Sequence, residues 1–249
     1  MFPDIHWIDN SIRFGNIEDR ELGITRLDES TEHAVRIDAL FQQRDVQFLY
    51  RVHVCLQEID KHRYLNRSFY GPQGENVPGN VVMYLSGILE DFAPSLYYKI
   101  VKSSDIAVRL NKWIKLDVRP SLLGVRCIEI ISYDASTKPT PGLGGHTDTG
   151  SVYTMIAMLS NETDFVGGRL MVGNRGDFFD LGFGNAVLFH SEILHAVTPV
   201  IQGKRNVFSI EFWKEPTAPW GSMRPIPQSV ADKLGVADTT NLGQHYPVI

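Results

Sequence analysis

The chain has 249 residues, 43% of them hydrophobic and 21% charged, which excludes a disordered protein and allows one domain with a sizeable core. A net charge of −5 and a pI near 5.9 exclude a strongly basic face, so nucleic acid is not the expected partner. Two cysteines, Cys55 and Cys127, each inside an apolar segment, are too few for a disulfide framework and read as buried free thiols.

The start, Met1-Phe2-Pro3-Asp4, has neither the basic nor the apolar region of a signal peptide. No apolar run approaches the roughly 20 residues of a membrane span, so the expectation is a soluble, cytoplasmic protein with no membrane partner. Residues 1–30 are weakly patterned and read as loops with a strand or two. Ser30-Thr31 reads as the cap of a helix whose apolar face holds Ala34, Ile37, Leu40 and Phe41. Asp45 reads as the cap of a second helix, with Val46, Leu49, His53, Leu56 and Ile59 at three- and four-residue steps. Tyr64 to Gly79, rich in Gly, Pro and Asn, reads as a long loop, either a lid or a solvated connection. Val81 to Leu85 reads as a strand. Pro94 to Ile114 carries helical spacing in Leu96, Ile100, Ile106, Leu110 and Trp113, with a break near Ser103-Ser104.

After Leu123 short apolar runs alternate with turn residues: Gly124–Tyr133, Ser151–Leu159, Arg169–Val172, Asp177–Leu181, Asn185–Phe189, Ala196–Val200 and Asn206–Trp213. Such short strands with Gly-bearing turns predict an antiparallel sandwich or barrel, with the helices of the first half over one outer face. The fold class is mainly β with flanking helices (α+β). We expect one catalytic domain over 1–249: a helical and irregular support region at 1–120, a β core at 121–215 and a C-terminal tail at 216–249.

The chemistry-bearing stretch is Gly144-Gly145-His146-Thr147-Asp148. On an extended strand His146 and Asp148, two apart, point to one face. His195 lies 49 residues beyond His146, at the start of a strand-like run, and Arg205 follows ten residues later. Two imidazoles and one carboxylate on one face of a metal leave the other face open, the ligand set of non-haem Fe(II) oxygenases. An arginine adds a planar fork that binds a carboxylate bidentately and stays charged when buried. It suits the remote end of a dicarboxylate such as 2-oxoglutarate. Arg205, Val207, Ser209, Glu211 and Trp213 alternate onto one face of their strand, and Lys204 points the other way, to solvent. Glu211 is a candidate to meet substrate or to pair with a cation. Trp213 is a candidate for the site mouth or for core packing. Arg126 and Arg169 are candidates for an acidic substrate or for solvated surface. Gly167-Gly168 reads as a turn.

From Ile128 to Trp213 the chain resembles the prolyl 4-hydroxylase-like branch of the Fe(II)/2-oxoglutarate-dependent dioxygenases. The matching stretches are Ser132-Tyr133-Asp134, Gly145 to Asp148, Thr154 to Ser160, Phe165 to Leu170, Gly184 to Phe189, His195 to Val200 and Gly203-Lys204-Arg205. The resemblance implies a double-stranded β-helix (jelly-roll, cupin-like) core. It implies His146, Asp148 and His195 as iron ligands, Arg205 as the 2-oxoglutarate anchor, and Tyr133 and Thr154 as further cosubstrate contacts. The implied cofactors are Fe(II), 2-oxoglutarate and O2, with ascorbate left open. The chain departs from the branch at Met158, where a Tyr is frequent, and in the longer loop from Ser136 to Gly142. Asp148 occupies the position that related halogenases give to a small residue, which disfavours halogenation.

The implied reaction oxidises an unactivated C–H by hydroxylation, desaturation or ring closure, on a small molecule or an amino-acid-like substrate. Two alternatives stay open: a peptidyl-prolyl 4-hydroxylase, and a cupin-like barrel holding Zn or Mn that is not an oxygenase. The substrate and the oligomeric state are not legible in the sequence.

Overall fold

The structure is a computed structural model that describes residues 24–25, 34–59, 65–70, 76–85, 89–90, 93–110, 119–136, 141–173 and 178–214. The readings of residues 1–23, of Trp113 and Ile114 and of the tail after Pro216 lie outside the described residues.

Strands, numbered in chain order, form two antiparallel sheets. The larger runs β1 (Ile24–Thr25), β2 (Ala34–Ile37), β11 (Ala186–His190), β7 (Ser151–Met158), β13 (Val200–Trp213), β5 (Gly124–Asp134), β4 (Asn76–Tyr84) and β3 (Leu65–Tyr70), with β8 (Phe165–Gly167) paired to the start of β13. The smaller runs β10 (Phe178–Phe179), β9 (Leu170–Val172), β12 (His195–Val197) and β6 (Leu143–His146). Two helices, α1 (Gln43–Ile59) and α2 (Pro94–Leu110), pack on the larger sheet. No helix among the described residues is long and apolar enough to cross a membrane.

Both faces of the larger sheet are covered, which explains why β7 and β11 are almost continuously apolar rather than alternating. One face packs Ile128, Ile130, Met155, Ala157, Phe208 and Ile210 against Leu49 and Val52 of α1 and Leu96 and Ile100 of α2. The opposite face packs Val82, Ile131, Ile156, Val187, Phe189 and Val207 against Leu170, Val172 and Val197 of the smaller sheet. Pleating sets the division: in β13 the odd-numbered residues Arg205 to Glu211 turn inward between the sheets, and Phe208, Ile210 and Phe212 turn to the helices. Gly203 allows β13 to leave β8 and enter the larger sheet. Its φ is +76°, and a Cβ there would lie 2.0 Å from the Asp164 carbonyl oxygen.

Several sequence expectations are corrected. Residues 34–37 are a strand, not the helix read from Ser30-Thr31: they pair with Ala186 to Phe189 of β11, so a partner some 150 residues away decides their conformation. Leu40 and Phe41, read on that helix face, lie in the following turn, with the Phe41 N–H donating to the Gly184 carbonyl (2.9 Å). Asp45 sits inside the first turn of α1 rather than before it, and its Oδ2 accepts the Gln42 N–H at 2.9 Å, the reach-back half of a capping box. The expected loop over Tyr64 to Gly79 contains a hairpin, β3 on β4. Pro78 is tolerated because β5 pairs with β4 only from Asn80 onward. Helix α2 is continuous through Ser103 and Ser104. Their hydroxyls donate to the carbonyls of Lys99 and Ile100 (2.8 and 2.9 Å), so neither competes for the helix's own N–H groups. β13 begins at Val200, earlier than the Asn206 start read from the sequence.

Candidate metal centre

His146 ends β6 and His195 opens β12, its neighbour, and the two are directly paired across the strands. Their rings lie 4.2 Å apart between centroids. Asp148 stands beyond the end of β6, in the connection to β7, not on the strand as the two-residue spacing suggested. Two contacts bring it back to the imidazoles: its N–H donates to the Ser191 carbonyl (3.0 Å), and its Oδ2 accepts from the Thr154 hydroxyl (2.6 Å). The carboxylate then reaches His146 Nε2 at 3.5 Å through Oδ1 and His195 Nε2 at 3.4 Å through Oδ2. One ligand atom from each residue lies within 4.8 Å of the others, close enough to share a metal ion.

The two imidazoles are set the same way. His146 Nδ1 meets the Gly144 carbonyl at 2.9 Å, and His195 Nδ1 meets the Ile193 carbonyl at 3.0 Å. A carbonyl only accepts, so each Nδ1 carries the proton and each Nε2 turns its lone pair to the centre. Burial pushes His195 down to about 4, with the neighbouring His146 adding to it. The Phe189 ring stacks obliquely on His195 at 4.8 Å.

Arg205 is fully buried on the inward face of β13, opposite Tyr133 of β5. Its Cζ lies 5.2 Å from the Tyr133 ring centre. The guanidinium Nε, Nη1 and Nη2 have no hydrogen-bond partner among the described residues, although a charged group so deep ordinarily has one. Burial pushes the Tyr133 hydroxyl up to about 12. Gly168, with a φ of +63°, makes room for the arginine: a Cβ there would lie 2.6 Å from Arg205 Cδ and 2.8 Å from Val200 Cγ2. The turn read at Gly167-Gly168 therefore also seats this side chain. Asn80, buried opposite Tyr133 on β4, donates from Nδ2 to the Gly142 carbonyl (2.7 Å) and leaves its Oδ1 unpaired.

The remaining sequence candidates divide. Thr154 binds Asp148 and lies 2.8 Å from the Ser191 hydroxyl. Glu211, opposite Thr154 across β13 and β7, accepts from Ser151 (2.6 Å), from Arg126 Nη1 (3.1 Å) and from the Cys127 thiol (3.2 Å). Arg126 also reaches the Thr149 carbonyl (3.0 Å) and stands 6.0 Å from the Trp213 ring centre. Arg169 pairs with Asp180 (2.8 Å) and covers the Phe178 ring on the smaller sheet, apart from this group. Cys127 is a buried free thiol, and the Cys55 side chain lies outside the described ones.

Sequence reasoning missed Ser191, Ser151, Asn80 and Glu129. Glu129 shares the inward face with Tyr133 and Cys127 and stands opposite Ser209 and Tyr84. Burial, then the nearby Glu211, pushes its carboxyl up to about 8. The signal was present: it is the one charged residue in Cys127-Ile128-Glu129-Ile130-Ile131, at an alternation position shared with Tyr133.

The chain matches no family model, and no curated protein matches it in sequence. Solved structures match it in fold. An oxidoreductase of the 2OG-Fe(II) oxygenase family from Burkholderia pseudomallei superposes with a TM-score of 0.52 at 14% identity, over 75% of this chain and 87% of that one. The epimerase SnoN from nogalamycin biosynthesis, in complex with Fe3+, alpha ketoglutarate and nogalamycin RO, gives 0.54 at 14%, over 85% and 90%. A prolyl hydroxylase from Trichoplax adhaerens, in complex with a hypoxia inducible factor peptide fragment, gives 0.50 at 16%, over 74% and 85%. The chain has the fold of the 2-oxoglutarate- and Fe(II)-dependent oxygenases and carries a His-X-Asp…His group placed to bind metal.

Proposed function

We propose that the protein is an Fe(II)- and 2-oxoglutarate-dependent oxygenase with a double-stranded β-helix core, oxidising a C–H bond of a small molecule. One observation carries this reading: a fully buried arginine with three unpaired nitrogens turns into the same inter-sheet interior as a His-Asp-His group. Both halves fit the groups they would hold. Two neutral imidazoles and a carboxylate suit Fe(II), and an unpaired guanidinium suits the remote carboxylate of 2-oxoglutarate. When bound, iron and 2-oxoglutarate supply oxidation of the substrate by O2, with release of succinate and CO2.

The protein's own groups set the geometry. His146, Asp148 and His195 hold the metal from one side. The Gly144 and Ile193 carbonyls fix the imidazole tautomers, and Thr154 fixes the carboxylate. On this reading Thr154 serves the metal through Asp148 rather than touching the cosubstrate as expected. Arg205, seated on Gly168, orients the cosubstrate, with Tyr133 beside it. Ile131, Ile156, Met158 and Val207 form apolar walls that exclude water.

The test is Fe(II)-dependent conversion of 2-oxoglutarate to succinate under O2, screened across small molecules and proline-rich peptides. Activity should vanish in His146→Ala and in Arg205→Met. A substrate mass gain of one oxygen marks hydroxylation, and a loss of two hydrogens marks desaturation or ring closure. Turnover only with proline-rich peptides would select the peptidyl-prolyl reading. Metal-dependent activity untouched by Arg205→Ala would select a cupin-like barrel of another chemistry.

A further inference from the structure

The wall that carries Thr154 and Arg205 holds an acidic side chain with no ion-pair partner among the described residues. Along β13 the inward positions run Arg205, Val207, Ser209, Glu211, and across the strand pairs these face Tyr133, Ile131, Glu129 and Cys127 of β5. Directly opposed residues in an antiparallel pair share a face, so Glu129 looks into the interior that holds the metal group and Arg205. Its side chain is partly accessible. Glu211 beside it is held by Arg126, Ser151 and Cys127. Glu129 has no ion pair among the described residues, and Arg126, already bound to Glu211, acts on it only weakly.

Resting on the oxygenase reading above, the charges of the loaded centre can be followed. The two positive charges of Fe(II) and the one of Arg205 cancel those of Asp148 and of the 2-oxoglutarate dianion. Arg126 cancels Glu211. Glu129 has no counter-charge in this count, and burial together with the nearby Glu211 keeps its carboxyl protonated at neutral pH. A buried carboxylate is stable only beside a cation or a full set of donors, and the described structure supplies Glu129 with no cation.

We propose that Glu129 selects the substrate: it receives the ammonium group of an amine-bearing small molecule and so sets the carbon presented to the metal. Ser209 and Tyr84, its cross-strand neighbours, flank the same position. An ammonium that lands there gains a carboxyl partner that ionises as the pair forms, its proton leaving to solvent. An acidic substrate would meet Glu129 and Glu211 together and be repelled.

The experiment uses the full chain loaded anaerobically with Fe(II) and 2-oxoglutarate. Binding of n-butylamine and cadaverine is measured by calorimetry against n-butanol, 1,5-pentanediol and n-butyrate. The amines should bind about tenfold or more tightly than their uncharged or acidic counterparts, as expected for a buried charge pair. Glu129→Gln should erase that preference and Glu129→Asp should keep part of it, with 2-oxoglutarate affinity within about twofold of the parent in both. Persistence of the preference in Glu129→Gln, or tighter binding of the neutral or acidic compounds, overturns the assignment alone. If 2-oxoglutarate itself fails to bind the metal-loaded parent, the oxygenase reading falls and this assignment with it.

Discussion

Replacing Arg205 with methionine should stabilise the protein without cosubstrate and weaken it with cosubstrate. The guanidinium is wholly buried with all three nitrogens unpaired, and exchanging such a charge for an apolar side chain of similar length is commonly worth about 1–4 kcal/mol of stability. In a chain of this size that is roughly 2–4 °C per kcal/mol in melting temperature. The loaded protein should respond in the opposite sense. Excess 2-oxoglutarate at about 100 times its Kd adds roughly 2.7 kcal/mol to the parent. Losing the charged fork should cost at least about 2 kcal/mol of binding, a thirtyfold or larger rise in Kd. The same concentration then adds less than about 1 kcal/mol. The assay is urea or thermal unfolding of both proteins under nitrogen, with Mn(II) or Fe(II), with and without 2-oxoglutarate. An unliganded variant less stable than the parent that still gains full stability from 2-oxoglutarate would refute the reasoning, because Arg205 would then be a structural group.

Thr154→Val removes the 2.6 Å hydrogen bond to Asp148 and should weaken metal affinity by about 10- to 100-fold with little change in folding, measured by competition with a chelator. Gly168→Ala places a methyl 2.6 Å from Arg205 Cδ at a positive φ. It should cost about 1 kcal/mol or more in stability and raise the 2-oxoglutarate Kd more than the metal Kd, both followed by titration. Glu129 gives a pH signature: its folded carboxyl titrates near 8, against about 4.3 unfolded. Between those values the folded state carries more protons, so stability falls as pH rises, by on the order of 4–5 kcal/mol at pH 8. Glu129→Gln should remove that decline and be more stable than the parent at pH 8 in denaturant titrations of the unliganded protein.

How legible all this was in the sequence depended on the range of the forces involved. The alternation of β13 was readable because pleating is local, and it put Arg205, Val207, Ser209 and Glu211 on one face as found. The His146–Asp148–His195 grouping was readable because metal chemistry restricts residue type, although Asp148 reaches the group through Ser191 and Thr154, not through strand geometry. The strand at 34–37 was not readable, since its identity comes from β11, and neither was the β3–β4 hairpin beneath its Gly/Pro-rich composition. The continuity of α2 was hidden because serine hydroxyls can either break a helix or bond back into it. The seat that Gly168 gives Arg205 is a contact between two loop- and strand-borne residues that no spacing rule anticipates.

The most direct measurement is the visible spectrum of the protein titrated anaerobically with Fe(II) and then 2-oxoglutarate. A metal-to-cosubstrate charge-transfer band should appear at one iron per chain, vanish in His195→Ala, and need far more 2-oxoglutarate in Arg205→Met. No band with the parent protein, or a band indifferent to both substitutions, would contradict the claim that these side chains hold an iron and its dicarboxylate partner in one interior.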